Sequence, residues 1–326
     1  MTTTQDRNVV RSQKEFKVVG TRPVLNSSTG AHKVTGEALY GADFYPNEYL
    51  HGKILRSPHG HARIKSINTS KAEALEGVKS VVTYKDYPTD NPEGTHGMAG
   101  LPMKQLRDNS MASDKVLYEG HPIAGVAAIN PHIAEEALSL IEIDYEVLPA
   151  VLTAPEALKD DAPILLEELK TKSDITEQKG QTNLAEHFRH EKGDIKKGFE
   201  EADHIIEREF NTATVHQGYI EPQNTTAYWD KDGRLFIWLS TQGPFEVRSD
   251  TAIAVGIDEA KVRVTPMEIG GGFGGKFPLY HEPVAALLSK KSGKAVKIVM
   301  TRQEVLEGTG PTPGSYSKVK IGITNE

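Results

Sequence analysis

The 326-residue chain contains no cysteine. No disulfide can therefore form within it, and no zinc ion or iron–sulfur cluster can be ligated by thiolates of this polypeptide. If its function requires iron–sulfur clusters, they have to be held by another chain or domain.

Long apolar runs are also absent. Residues 1–6 lead into charged positions without the apolar core of a signal peptide, and no stretch approaches the length of a membrane span. The 38 basic and 45 acidic residues give a formal net charge of −7, and the two signs are interspersed rather than blocked. We therefore expect a cytoplasmic protein that has neither nucleic acid nor a membrane as a partner.

Histidine pairs give no indication of a metal site. His59 with His61, and His187 with His190, are close in sequence, but no third ligand stands at a recognisable spacing from either pair. We predict that no side chain of this polypeptide ligates a metal ion directly.

Glycine, by contrast, is concentrated in one segment. Five glycines surround Phe273 within residues 270–275. Because glycine lacks Cβ and tolerates positive φ, such a segment leaves backbone N–H groups open to an anionic ligand. Alternating residues at 261–265 predict a strand before it, and apolar residues at helical spacing in 282–291 predict a helix after it. The pattern predicts a cofactor-binding loop between a strand and a helix.

Three kinds of cofactor loop have this layout. A nucleotide-triphosphate loop reads G-x-x-x-x-G-K, as residues 270–276 do, but it continues with a hydroxyl residue where this chain has Phe277. A dinucleotide loop reads G-x-G-x-x-G, but the next predicted strand ends at Thr301 and Arg302 without the ribose-binding acid. The third kind, a pterin–molybdenum loop, depends on a second motif.

That second motif is Ser240-Thr241-Gln242, at the junction between a predicted strand and a helix predicted over 245–255. A glutamine at this position offers both an amide donor and a carbonyl acceptor to a ligand beyond the strand end. Helix N-termini favour anions in the same place. The alternative is that Gln242 merely begins a loop.

Both motifs, together with residues 216–222 (His-Gln-Gly-Tyr-Ile-Glu-Pro), resemble the molybdenum-binding subunit of the xanthine dehydrogenase/aldehyde oxidase family. The resemblance runs in consistent order from about residue 20 to the C-terminus. The further segments that carry it are residues 33–43, 55–64 and 118–128.

The resemblance implies a hydroxylase in which the new oxygen comes from water and two electrons leave molybdenum through a pterin. It also implies molybdenum–molybdopterin as cofactor, with the cytosine dinucleotide as one form it can take. By resemblance, Gln242 is the catalytic residue and hydrogen-bonds an oxygen ligand of the metal. The cofactor-binding residues implied are Gln242, Gly271, Gly272, Phe273, Gly274 and Gly275.

The substrate pocket is predicted from a departure from the family pattern. Phe277 stands where purine hydroxylases have a glutamate that binds the heterocycle, so we expect a flatter, more apolar pocket for an aldehyde, an aromatic acid or another N-heterocycle. The alternative is that Phe277 packs under the loop. His216 and Glu221 are further pocket candidates, although polar residues at strand ends are commonly satisfied within the structure.

The fold class predicted is α/β and α+β. We divide the chain into an N-terminal tail at 1–26, an α/β-hammerhead domain at 27–165, a linker at 166–182 and the first half of a molybdopterin-binding domain at 183–326. The aspartate–glycine turn at 230–233 predicts a hairpin.

Family members continue well beyond the segment that this chain resembles, and the remainder carries a glutamate base. We therefore expect a chain that is inactive without that part and that works in a hetero-oligomer on a small-molecule substrate. The expected partners are a second molybdenum-domain chain or segment, a 2Fe–2S subunit and an FAD subunit. The alternative function is a non-catalytic scaffold or assembly protein for the molybdenum cofactor.

Overall fold

The computed structural model describes residues 30–89, 95–96, 101–173 and 180–325. The predicted N-terminal tail lies outside them. The chain divides into two compact units, residues 1–39 and residues 40–326. In the first unit, a one-turn helix ends at Gly36, whose φ of 79° is the left-handed conformation that glycine adopts at helix ends.

The elements predicted at 245–255, 261–265 and 282–291 each lie within one residue of their predicted bounds. The strands are β1 (Tyr49–Arg56), β2 (Ala62–Asn68), β3 (Val78–Thr83), β4 (Thr95–His96), β5 (Leu101–Pro102), β6 (Lys115–Val116), β7 (Pro122–Ala128), β8 (Glu142–Val147), β9 (Lys172–Ser173), β10 (Glu186–His187), β11 (His204–Thr212), β12 (Asn224–Trp229), β13 (Leu235–Leu239), β14 (Val262–Pro266), β15 (Ala295–Val299) and β16 (Ser315–Ile323). The helices are α1 (Ala31–Thr35), α2 (Ser70–Ala74), α3 (Met103–Ser110), α4 (Pro131–Ser139), α5 (Ala154–Ala157), α6 (Ile195–Glu200), α7 (Pro244–Val255), α8 (Glu282–Ser292) and α9 (Arg302–Gly308).

Besides the two-residue strands, five elements are not predicted from the sequence, namely α1, β2, α3, α5 and α9. For α9 a local signal was present, because Thr301 and Glu304 form a capping box at its N-terminus. The two-residue strands are too short to leave a periodic pattern.

A seven-stranded mixed sheet forms the centre of residues 40–326, in the order β14-β13-β12-β15-β1-β7-β3. Strand β1 pairs in parallel with β15 and antiparallel with β7. The sheet therefore draws strands from both sides of the predicted linker, and the predicted division into domains stays a prediction. The mixture of parallel and antiparallel pairs with helices confirms the α/β and α+β class.

Helices cover both faces of this sheet, and strand β7, which lies next to the edge strand β3, is consequently buried along its whole length. On one face, α8 is buried from Glu282 to Ser289 and packs against β12, β3 and β7. Gly125 permits this approach, because a Cβ there would lie 2.6 Å from Val284 Cγ1. On the other face, α4 packs against β1 and β7.

The C-terminal ends of β13 and β14 lie next to each other in the sheet. The predicted hairpin is confirmed, since β12 and β13 pair antiparallel across the turn at 230–233. Strand β13 pairs in parallel with β14, so the loops that follow these two strands leave the sheet at one edge. Both sequence motifs lie on these loops. In the part of the chain that the structure describes, no helix is long and apolar enough to cross a membrane.

Candidate functional site

The glycine-rich loop connects β14 to α8, as the sequence predicts. Its backbone is left-handed at Gly271 (φ 94°), Phe273 (φ 51°) and Gly274 (φ 89°). Phe273 is the one non-glycine residue with positive φ in the described ranges, and its side chain is 75% exposed. Because a positive φ is unfavourable for a residue with a Cβ, and the ring gains little by burial, this conformation points to a functional constraint on the loop.

Gln242 connects the two motifs. Its side-chain Oε1 accepts hydrogen bonds from the backbone N–H groups of Gly274 (3.0 Å) and Lys276 (3.2 Å). Its own backbone N–H donates to the carbonyl of Lys276 at 3.0 Å. Gly272 makes the contact possible, because a Cβ there would lie 2.3 Å from Gln242 Oε1. The structure thus brings Gln242 and the predicted glycine loop together.

Three consecutive backbone N–H groups of the loop, those of Gly271, Gly272 and Phe273, have no hydrogen-bond acceptor among the residues that the structure describes. The amides on either side are used, since Gly270 donates to Glu221 and Gly274 donates to Gln242. Successive N–H groups in a loop with alternating backbone handedness form an anion-binding recess.

A buried ion pair lies beneath the loop. Lys276 Nζ is 2.6 Å from Glu221 Oε2, and the two side chains are 1% and 9% exposed. Burial lowers the pKa of the Lys276 ammonium, and the adjacent carboxylate opposes that shift. A charge buried to this degree is tolerated only when it is paired and hydrogen-bonded.

Glu221 accepts four hydrogen bonds in all. Besides Lys276, its carboxylate accepts from the backbone N–H of Gly270 at 2.6 Å, from Asn224 Nδ2 at 3.1 Å and from Ser240 Oγ. One carboxylate thus connects the strand end that carries the Ser-Thr-Gln motif to both ends of the glycine loop. The predicted pocket residue Glu221 has its oxygens engaged inside the protein, and its contact with substrate stays a prediction.

The other two pocket candidates differ in their surroundings. Phe277 is 47% exposed and lies against Gly243, where a Cβ would be 2.9 Å from its Cδ1, so its ring is beside the residue that follows Gln242. His216 uses both ring nitrogens, because Nδ1 accepts from Gly218 N–H at 3.0 Å and Nε2 lies 3.1 Å from Thr309 Oγ1. Of the two, Phe277 has the more open position.

Three supporting residues were not singled out from the sequence. Tyr219 lies under the loop with its ring centre 5.0 Å from Lys276 Nζ, and its hydroxyl is 2.8 Å from Thr309 Oγ1. Lys276 was visible as the last residue of the motif, but its partner was not. Thr309 had no sequence signal.

The residues present fit an anionic cofactor whose metal ligands come from the cofactor itself. The loop offers unpaired N–H donors, and the Nε2 amide of Gln242 has no acceptor among the described residues. Within those residues there is no group of three or more His, Cys, Asp or Glu that can hold a metal ion. A pterin dithiolene, which brings its own sulfur ligands, is compatible with such a site.

Two family models match the chain. The molybdopterin cofactor-binding domain matches residues 175–326, and the a/b hammerhead domain of aldehyde oxidase and xanthine dehydrogenase matches residues 35–149. The order of the two matches is the order predicted from the sequence, which confirms the predicted fold class.

Individual relatives agree. The nicotinate dehydrogenase large molybdopterin subunit of Eubacterium barkeri is 33% identical over 313 residues, which cover 96% of this chain and 68% of that protein. The carbon monoxide dehydrogenase large chain of Afipia carboxidovorans is 36% identical over 298 residues, which cover 89% of this chain and 36% of the relative. The structure of the aldehyde oxidoreductase from Desulfovibrio gigas matches with a TM-score of 0.77 at 27% identity, over 90% of this chain and 32% of that one.

This chain therefore spans about two thirds of the first relative and about a third of the other two. The relatives differ in the substrates that their names state, but all are similar to this chain across both matched regions. The glycine loop, the Gln242 motif and these matches have one explanation: the chain belongs to the xanthine dehydrogenase/aldehyde oxidase family of molybdenum hydroxylases.

Proposed function

We propose that this chain is part of the molybdenum-cofactor subunit of a multi-subunit hydroxylase. The observation that carries the proposal is the run of unpaired N–H groups at Gly271, Gly272 and Phe273 beside the side chain of Gln242. Family membership supports it. When bound, the molybdenum–molybdopterin group supplies a two-electron oxidation in which the oxygen added to the substrate derives from water.

The protein residues contribute binding and orientation. The N–H groups of the loop donate to the anionic side of the cofactor, and Gln242 Nε2 is a further donor held in place by the two bonds that Oε1 accepts. Preorganised donors stabilise charge that develops during a reaction without having to reorient. The Glu221–Lys276 ion pair keeps the ends of the loop together, so these donors stay aligned.

For substrate we propose an aldehyde, an aromatic compound or an N-heterocycle. Phe277 supports this choice, because its half-exposed ring beside Gly243 offers an apolar face and no hydrogen bond to a purine. The names of the relatives cover nicotinate, carbon monoxide and an aldehyde, so the class of substrate rests on Phe277 rather than on similarity.

We further propose that the electrons pass to iron–sulfur and flavin groups on partner chains, since this polypeptide has no cysteine with which to hold a cluster. The partners are a 2Fe–2S subunit, an FAD subunit and a chain or segment with the rest of the molybdenum domain. Without that last part the chain is inactive. The cytosine dinucleotide form of the pterin and a cytoplasmic location are further parts of the proposal.

The test is the molybdenum content of the assembly isolated from its own host through this chain, measured by elemental mass spectrometry. Stoichiometric molybdenum accompanied by iron is expected. A stable, intact assembly without molybdenum would contradict the proposal and favour the alternative, a non-catalytic scaffold or assembly protein. The same assembly is also isolated with the variant Gln242→Ala. We expect this variant to lower the catalytic activity of the assembly while the fold is retained.

A further inference from the structure

Strands β11 and β16 form a two-stranded ribbon outside the main sheet, and their register separates two unlike faces. Ile206 pairs with Ile321 and His204 with Ile323, so these side chains share one face, on which Arg208, Thr212, Ser315 and Ser317 also lie. We call this the apolar ribbon face. Its large apolar residues are Ile206, Phe210, Val319, Ile321 and Ile323.

The opposite face of the ribbon is polar and already has a neighbour. Glu207 and Glu209 both pair with Lys318 there. Helix α6 packs on that side, because Lys320 Nζ lies 5.0 Å from the ring centre of Phe199 and a Cβ at Gly322 would be 3.1 Å from Phe199 Cδ1.

Helix α5 also lies near β16, but the large apolar side chains of the apolar ribbon face are exposed. Its five large side chains are between 39% and 55% exposed. A two-stranded ribbon is at best marginally stable in water, and a contiguous exposed apolar surface marks a place where another element packs. The alternation of the sequence at 204–212 and 315–323 is that of a sheet with one apolar face, and such a face is normally covered.

The base of the ribbon is joined to the cofactor loop. Beyond the last pair of the ribbon, Val215 and Thr312 form a β-bridge. Three residues before Thr312, Thr309 Oγ1 lies within hydrogen-bond distance of the Tyr219 hydroxyl. Tyr219 in turn lies against the loop, because a Cβ at Gly275 would be 2.7 Å from its Cε1. An element docked on the ribbon is therefore coupled to the loop through a short chain of contacts.

We infer that the apolar ribbon face docks the polypeptide segment that corresponds to the part of the relatives outside the matched region. This inference rests on the proposed function. About two thirds of the carbon monoxide dehydrogenase large chain lie outside the match, since the match covers 36% of it. The ribbon itself belongs to the matched molybdopterin-binding region. Because contacts through Thr309 and Tyr219 join it to the glycine loop, a segment that completes the cofactor site is favoured over a subunit that only receives electrons.

The first experiment compares Ile206→Lys with Ile205→Lys in the assembly isolated from the host through this chain. The two positions are adjacent, carry the same side chain and are similarly exposed, but they lie on opposite ribbon faces. We expect Ile206→Lys to lower the amount of docked segment at least about tenfold, as the loss of a central interface anchor does. Ile205→Lys should leave it unchanged, and thermal melting checks that both variants fold.

The second experiment identifies the occupant by photocrosslinking from p-benzoylphenylalanine placed at Phe210 or at Tyr316. Phe210 lies on the apolar ribbon face, and Tyr316 lies on the opposite one. We expect the Phe210 probe to crosslink to a segment that aligns with the unmatched part of the relatives, and the Tyr316 probe not to do so.

Several outcomes would overturn the inference. Crosslinks from Phe210 to a second copy of this chain, to an iron–sulfur or flavin polypeptide, or to nothing would do so, as would equal behaviour of the two lysine variants. If any of these occurs in an assembly that contains molybdenum, only this inference fails. If the wild-type assembly contains no molybdenum, the proposed function fails and this inference fails with it.

Discussion

Lys276 Nζ lies 2.6 Å from Glu221 Oε2, although the two residues are 55 positions apart in the sequence. The lysine closes the glycine loop, and the carboxylate also accepts from Gly270 at the start of that loop. The pair thereby fixes the distance between the two loop ends. The unpaired N–H groups at Gly271, Gly272 and Phe273 lie between the two loop ends. Their alignment therefore depends on the ion pair between Glu221 and Lys276.

Removing one member of this pair is expected to destabilise the protein. Lys276→Met leaves the Glu221 carboxylate buried without its cation, and such losses cost about 3–5 kcal/mol in the free energy of unfolding. Chemical denaturation of the full chain measures the effect. The double variant Lys276→Met with Glu221→Gln should recover much of the loss, and strictly additive effects would contradict the pairing.

The exposed pair between Lys318 and Glu207, at 2.8 Å, provides the control. We expect Lys318→Met to leave the denaturation midpoint unchanged, because solvent screens an exposed pair.

A methyl group at Gly272 is expected to displace Gln242. The Cβ of Gly272→Ala would lie 2.3 Å from Oε1 and 2.6 Å from Cδ of Gln242. The side chain can rotate away, so the fold persists, but the bonds to Gly274 and Lys276 are lost. Groups that orient a bound metal cofactor are worth about 10–100-fold in its affinity, and we expect retained molybdenum to fall accordingly. Gly198→Ala, where a Cβ meets nothing within 4 Å, should retain it.

Phe277→Glu is expected to change substrate preference while leaving the molybdenum content intact. A carboxylate at this position can accept a hydrogen bond from a heterocycle, whereas the phenyl ring cannot. We expect the ratio of kcat/KM for an N-heterocycle to kcat/KM for an apolar aldehyde to rise about 10–100-fold. The control is Phe188→Glu, at an exposed phenylalanine on another part of the chain. Equal losses on every substrate would show that Phe277 only supports the loop.

Stability is expected to fall in acid because of two buried histidines. Burial lowers the pKa of His281 to about 3 and that of His121 to about 4, from an ordinary value of 6.5. Their folded-state pKa values are depressed, so the unfolded chain binds more protons. The free energy of unfolding that depends on these two neutral histidines is therefore fully present above about pH 6.5. It is lost progressively as the pH falls toward 3–4.

For His281 this loss amounts to about 2 kcal/mol in the free energy of unfolding at pH 5. Urea unfolding at pH 7.5 and pH 5 measures it. We expect His281→Gln to reduce the difference in the free energy of unfolding between the two pH values by that amount, and the same substitution at the exposed His132 serves as the control. A pH dependence that survives His281→Gln and His121→Gln together would assign acid sensitivity to other groups.

The local architecture was predictable because it depends on local rules. The strand-to-helix setting of the glycine loop follows from periodicity on either side of it, and the hairpin at 230–233 follows from its aspartate–glycine turn. Helix α8 was predicted within one residue of its end. By contrast, α9 was missed even though Thr301 and Glu304 form its capping box, because Thr301 was assigned to the end of the preceding strand.

The pocket candidates show where local rules stop. Phe277, His216 and Glu221 were chosen for their chemical type, and the type of a side chain does not reveal which atoms its fold places opposite it. The Glu221 carboxylate, for example, is surrounded by Lys276, Gly270, Asn224 and Ser240, while its contact with substrate stays a prediction. None of these contacts has a sequence spacing that predicts it.

The amino-acid sequence by itself determined most of the longer helices and strands, the cofactor loop, the Gln242 motif and, through those motifs, the family, because each depends on residue identity over a few neighbouring positions. The tertiary structure decided that β1 and β15 share one sheet, that Glu221 pairs with Lys276, and that β11 and β16 align five large apolar residues on one face. These are contacts between distant segments. They depend on strand register and packing, where a shift of a single residue would turn the same side chains to the opposite face.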